Sequence, residues 1–260
     1  MSPDRKHSIE VAIEYDDPRY WYMMLGAIAL GYLLNKAFDL APKEKKVNFL
    51  MGLGVFMVAI QLYMPIKQSL DPNYLFTYQH NLPLHFCSVN FWLMAFNCFI
   101  RSRILFVLTA YMGITGGFHT FMTPLLTAGD SPIQVVHFVI VHSGLIVVPI
   151  VMLRHFNMKF RKFDWVRAYF FDVGISTAMI GVNYYLNHYV HNPDPEVYFA
   201  NYMFVTVAPD VNNPFLPKSL AWPFYMLPLH LLFILHMILI NQIIRWRKGV
   251  KLNTWKELLH

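Results

Sequence analysis

The chain has 260 residues, of which 14% are charged, 56% hydrophobic and 17% aromatic, with a formal charge of +6. A soluble domain carries about a quarter charged residues, so this composition excludes an ordinary soluble enzyme and points to a multispan membrane protein. The basic excess is distributed by topology rather than gathered in one patch, which excludes nucleic acid as the partner it serves.

In chain order, the opening segment MSPDRKHSIEVAIEYDDPR (1–19) carries acids and no apolar core or small-residue cleavage site. No signal peptide is expected, and the segment is read as extracytoplasmic. A spanning helix needs roughly 20 mainly apolar residues. Seven stretches qualify, at about 20–38, 47–66, 82–100, 104–126, 135–153, 166–187 and 223–244. Of the 21 Lys and Arg, sixteen fall on one side of these stretches and five on the other. The positive-inside rule then gives an all-α, seven-helix transmembrane domain (20–244) with its N-terminus outside and its C-terminus in the cytoplasm. Residues 245–260 form a basic cytoplasmic tail. Connections are short except for 188–222, a long outer loop with a Tyr, Phe and Met run that is expected to fold back onto the bundle or the headgroups.

Polar side chains inside hydrocarbon are costly and face the bundle or a wet cavity. Counted at 1.5 Å per residue from each helix's outer end, His85 lies about 5 Å deep, Asn183 about 6 Å, and His119, His142 and His230 roughly 10 to 12 Å. Five helices thus contribute to one outer-leaflet layer. Helical spacing puts Asn81, His85 and Ser88 on one stripe of the third helix and turns Cys87 away from His85. On the fourth helix, Thr115, His119 and Thr123 line up beside Gly113, Gly116 and Gly117, small residues that admit a close neighbour. Asp172, Ser176, Asn183 and Asn187 form a polar line along the sixth helix, read as the face of a wet seam. Pro149 removes the backbone bond to Leu145 and is expected to kink the fifth helix. His80 and His137 fall at the outer rim.

Near-neutral imidazole suits general acid and base work, with a neighbouring thiol or hydroxyl as nucleophile. The sequence has no GxSxG, HExxH, CxxC or glycine-rich phosphate loop. Among His85, His119, His142 and His230 no pair has the i, i+3 or i+4 spacing of helical metal ligands and no carboxylate lies at the right depth, so no metal or other cofactor is expected. Cys87 and Cys98, on one helix and about 16 Å apart, cannot bridge. A haem or metal site and a small-molecule or lipid transporter with a polar seam stand as alternatives to an enzyme.

The segments HNLPLHFC (80–87), GITGGFHTFMTP (113–124), VHSGLIVVPIV (141–151), NYMF (201–204) and WPFY (222–225) resemble the YwaF-like bacterial membrane proteins and their eukaryotic relative, transmembrane protein 164. The likeness runs from about Phe76 to the last helix. It implies a cysteine-dependent acyltransferase acting on lysophospholipids in the membrane, in a bacterial cytoplasmic membrane if the bacterial branch applies. It places functional histidines at His85 and His142. The family's cysteine falls where this chain has Leu84, and the nearest thiol is Cys87, about a turn deeper. The expected site is therefore catalytic His85, Cys87 and His142, with Asn81, Ser88, His119, Asn183 and His230 as substrate-binding residues. The nucleophile is Cys87, or Ser88 beside His85, or an acceptor hydroxyl activated by histidine alone.

Overall fold

The structure is a computed structural model that describes residues 11–72, 74–127, 129–195, 198–209, 215–217 and 219–247. Seven helices dominate the described residues: α1 (Pro18–Leu40), α2 (Lys46–Leu70), α3 (Phe86–Ile100), α4 (Arg103–Met122), α5 (Pro132–His155), α6 (Asp164–Tyr189) and α7 (Leu227–Arg247). A two-residue strand β1 (Val11–Ala12) pairs antiparallel with β2 (Leu125–Leu126) and ties the chain ahead of α1 to the α4–α5 connection. The expected tail, 245–260, lies almost wholly outside the described residues.

Local chemistry explains where the helices begin. The Asp17 carboxylate accepts from Arg19 N at 2.8 Å and Pro18 opens α1, leaving one fewer unsatisfied donor at that terminus. Ser102 does the same for α4 through Leu105 N. At α5, Gln134 Oε1 accepts from Ser131 N at 2.9 Å, just ahead of Pro132.

Five helical segments are long and apolar enough to cross a membrane: Pro18–Leu40, Lys43–Leu70, Arg103–Met122, Pro132–His155 and Phe224–Arg245. Helix α3 is only 15 residues long, about 22 Å against a hydrocarbon thickness near 30 Å. Helix α6 carries Asp164, Arg167 and Asp172 along its first half. The third stretch was expected from residue 82, but α3 starts at Phe86 with His85 as its N-cap. Asn81 is therefore not on a helical stripe with His85 and Ser88. Pro83 accounts for this, because it disfavours helical geometry in the residue before it. Likewise α4 stops at Met122 rather than near 126, two residues before Pro124.

The core is built on α3, α4 and α5, around Phe91, Met94, Tyr111 and Leu145, all fully buried. On α7, Leu227, Leu231, Leu235, Leu239 and Ile243 are exposed at four-residue spacing. Such an apolar stripe, open to the surroundings, belongs against lipid.

The packing of α4 on α5 follows from two glycines. A Cβ on Gly113 would lie 2.5 Å from Leu145 O, and one on Gly117 would lie 3.0 Å from His142 O. Leu145 O is the carbonyl that Pro149 deprives of its helical donor, and Gly113 backbone approaches it instead. Gly113→Ala is expected to lower stability by about 1–3 kcal/mol through overpacking. Gly174→Ala, at a position with open space around it, is expected to raise stability by roughly 0.5–1 kcal/mol through helix propensity alone. Unfolding of both variants in detergent checks the contrast.

At the end where the basic residues gather, Arg103 pairs with Asp164, a carboxylate only 2% exposed that also accepts from Arg161 N. Arg154 bonds Asp39 and Asn35 on α1. Asn241 of α7 donates to Lys162 O at 2.8 Å, so the α5–α6 connection is held from α6 and α7.

Candidate functional site

At the opposite end lies a cavity of about 490 Å³. Its walls come from several elements: Gln61 and Gln68 of α2, His80, Asn81 and His85 ahead of α3, and Cys87 and Ser88 in its first turn. Helix α4 adds His119, Thr120 and Thr123, α5 adds His137 and His142, and the folded-back loop adds Met203, Phe204 and Pro209. Among the described residues no Asp, Glu, Lys or Arg lines it. Its polar groups are thus imidazoles, amides, hydroxyls and one thiol.

His142 Nδ1 lies 2.8 Å from Phe138 O, one turn back on α5. A carbonyl only accepts, so Nδ1 carries the proton and Nε2 keeps its lone pair, as a general base requires. The ring packs on Phe138 at 4.2 Å between centroids, and its backbone is fixed by the approach of Gly117. His137 Nε2 donates to Ile60 O at 3.2 Å, tying α5 to α2. His119 sits edge-on to His236 of α7, with centroids 4.9 Å apart.

The Cys87 sulfur lies 3.7 Å from Thr120 Oγ1. Thr120 donates its own proton to Gly116 O at 2.8 Å, which leaves the thiol as the donor and holds it protonated at rest. His85 caps no backbone group; its ring instead packs against Tyr202 and Phe204, each at 5.2 Å. Burial holds the His80 imidazole, in the segment between α2 and α3, below its ordinary value. It stays neutral near pH 7.

The loop that covers His85 is fastened from α6. Asn183 Nδ2 donates to Tyr202 O and its Oδ1 accepts from Tyr202 N, both at 3.0 Å. One turn further, Asn187 makes the same pair of bonds with Ala200. Tyr202 OH donates to Tyr78 O and accepts from Leu82 N. Met203 and Phe204 adopt φ of +61° and +52°, a left-handed conformation uncommon outside glycine. Fastening on both sides holds it there, with Tyr225 OH on Phe204 O at 2.6 Å.

These contacts correct two expectations. The outer half of the α6 polar line is no wet seam: Asn183 and Asn187 are engaged with loop backbone, and Asn183, fully buried, does not line the cavity. His230 also lies outside it, edge-on to Tyr169 at 5.9 Å. Of the five layer residues, His85, His119 and His142 line the cavity, together with Cys87, Ser88 and Asn81 from the candidate set and with Gln61, Gln68, His80, His137 and Thr120. Gln61 interrupts the apolar run of α2 and Gln68 follows seven residues on, near the helix end beside Lys67 and Ser69, and that spacing was a usable signal in the sequence. Deeper in the bundle, Asp172 is buried with no partner for either carboxylate oxygen among the described residues. Among the described residues no three His, Cys, Asp or Glu side chains converge to hold a metal ion.

A bundle of apolar helices exposed on its flanks, with a polar and charge-free cavity at one end, defines a polytopic helical membrane protein. The chain belongs to the TMEM164 family, whose model matches residues 15–241. Comparison with functionally curated proteins and with solved structures gave no match.

Proposed function

We propose that the protein is a membrane-embedded lipid acyl enzyme, an acyltransferase or acyl hydrolase, spanning a bacterial cytoplasmic membrane seven times with its N-terminus outside. The cavity then opens to the outer leaflet, where phospholipid and lysophospholipid present their esters. One observation carries this reading: an imidazole with its Nε2 lone pair free shares an uncharged cavity with a thiol and a serine hydroxyl. General-base activation of a nucleophile needs those groups together.

In the first half-reaction, His142 Nε2 takes the Cys87 proton and the sulfur attacks the ester carbonyl. The carbon–oxygen bond of the ester breaks, and the imidazolium returns the proton to the departing alkoxide. In the second, a lysophospholipid hydroxyl or water gives its proton to Nε2 and attacks the thioester, releasing the thiolate, which is reprotonated. Thr120, bonded to the resting thiol, keeps the sulfur directed along the α3–α4 seam. His85, under Tyr202 and Phe204, shapes the loop side of the pocket.

The test follows label from acyl-labelled phosphatidylcholine into lysophospholipid or free fatty acid in membranes bearing wild type, Cys87→Ala, Ser88→Ala or both. Cys87→Ala is expected to lose at least 100-fold, the lower range for removing a positioned catalytic group, while Ser88→Ala retains turnover. Full loss in Ser88→Ala alone would move the nucleophile to serine. Absence of any acyl product from wild type would remove the reading.

A further inference from the structure

Gln68 is the feature of the cavity that acid–base chemistry leaves unused. It is 7% exposed, it lines the cavity, and its Nε2 has no hydrogen-bond partner among the described residues. A buried amide donor left unpaired is costly, so what it faces matters.

The orientation of that amide is set by a relay. The backbone N–H of Thr77 donates to Asn81 Oδ1 at 2.8 Å. A backbone N–H cannot accept, so this bond determines which Asn81 atom is oxygen and leaves Nδ2 as the donor. Asn81 Nδ2 in turn donates to Tyr74 OH at 2.8 Å and to Gln68 Oε1 at 3.3 Å. Gln68 is therefore held with its oxygen toward Asn81 and its two N–H donors free. Gln61, two turns away on α2, also has an Oε1 without a partner among the described residues, with no hydrogen bond from those residues to orient it.

We infer that Gln68 is the acyl-carbonyl recognition residue of this cavity, and that the ligand portion held inside is an uncharged ester. The donors ask for an oxygen acceptor. A carboxylate or phosphate would offer one, but burying its charge without a cation costs far more than a single amide bond returns, and among the described residues no Lys or Arg lines the cavity. An ester carbonyl supplies the acceptor without the charge, and Met64 and Pro65 on the same wall meet its hydrocarbon. The inference deepens the acyl-enzyme reading by naming the group that the cavity recognises, and it is tested by binding as well as by turnover.

The probes are 1-oleoylglycerol, its ether counterpart 1-O-oleylglycerol, which lacks only the carbonyl, and oleate. Binding is measured to the purified full chain in nanodiscs. Wild type is expected to bind the ester about tenfold more tightly than the ether, the worth of one buried hydrogen bond, and more tightly than oleate. Gln68→Met is expected to bring the ester down to the ether's affinity while leaving the ether unchanged, whereas a folding defect would weaken both alike. Equal affinity for ester and ether in wild type, survival of the tenfold preference in Gln68→Met, or tighter binding of oleate would each overturn the inference. If ester preference depends on Gln68 but no acyl product forms, the enzyme reading fails and the recognition stands. If acyl turnover persists undiminished in Gln68→Met, the reverse holds.

Discussion

Replacing His142 with alanine is expected to reduce acyl turnover by about a thousandfold, in the middle of the range for loss of a general base, with little change in folding. Among the described residues the side chain makes a single hydrogen bond, from Nδ1 to Phe138 O on its own helix, and that carbonyl keeps its place in the α5 ladder when the imidazole goes. The close approach of α4 is carried by Gly117 against the His142 backbone and Ile146, while the ring itself packs mainly on Phe138 of its own helix. Activity and stability should therefore separate at this position. His119→Ala is the matched control, since it also removes a cavity imidazole but one packed against His236. Acyl release in membranes, set beside unfolding in detergent, decides the matter. Equal turnover in wild type and His142→Ala would sink the assignment, and a loss shared equally by His119→Ala would reduce it to a general packing effect.

The largest expected effect on stability lies at the other end of the bundle. Arg103, the first residue of α4, pairs with Asp164, the first residue of α6. The two partners are not equivalent: Asp164 is 2% exposed and Arg103 27%. Arg103→Ala leaves a buried carboxylate without its counter-charge, and the cost expected for breaking such a pair is about 3–5 kcal/mol. Asp164→Asn should cost distinctly less, because the amide oxygen still accepts from Arg161 N and the guanidinium has a route to water. Detergent unfolding of the two single variants and the double variant measures this asymmetry. Equal losses from the two single variants would show that burial of the acid does not govern the pair.

Much of the architecture was legible along the chain. Hydrophobic runs located the seven helices of the described residues, five of which are long and apolar enough to cross a membrane, since a helix in hydrocarbon must be apolar over its own length whatever its neighbours do. The glycines of α4 announced a close helix neighbour, and Pro149 announced an open carbonyl. The structure joined these two readings by setting Gly113 against Leu145 O. Of the five residues grouped by depth, His85, His119 and His142 line one cavity.

Other features depended on which segments meet. Asn183 reads as a site residue because an amide in an apolar helix asks for a partner. Only the return of residues 198–209 shows that the partner is Tyr202 backbone. His230 has suitable depth but faces Tyr169, because depth along a helix says nothing about the direction in which a side chain points. Gln68 shows the same limit from the other side: its position was plain, but its meaning comes from Asn81 and Thr77, in a non-helical segment that no periodicity describes. The sequence by itself determined the helices and the polar level, because both follow from the cost of placing each residue in hydrocarbon. Only the tertiary structure decided which polar groups pair with backbone and which stay open to a ligand, because hydrogen bonds are satisfied by whatever the fold brings within about 3 Å.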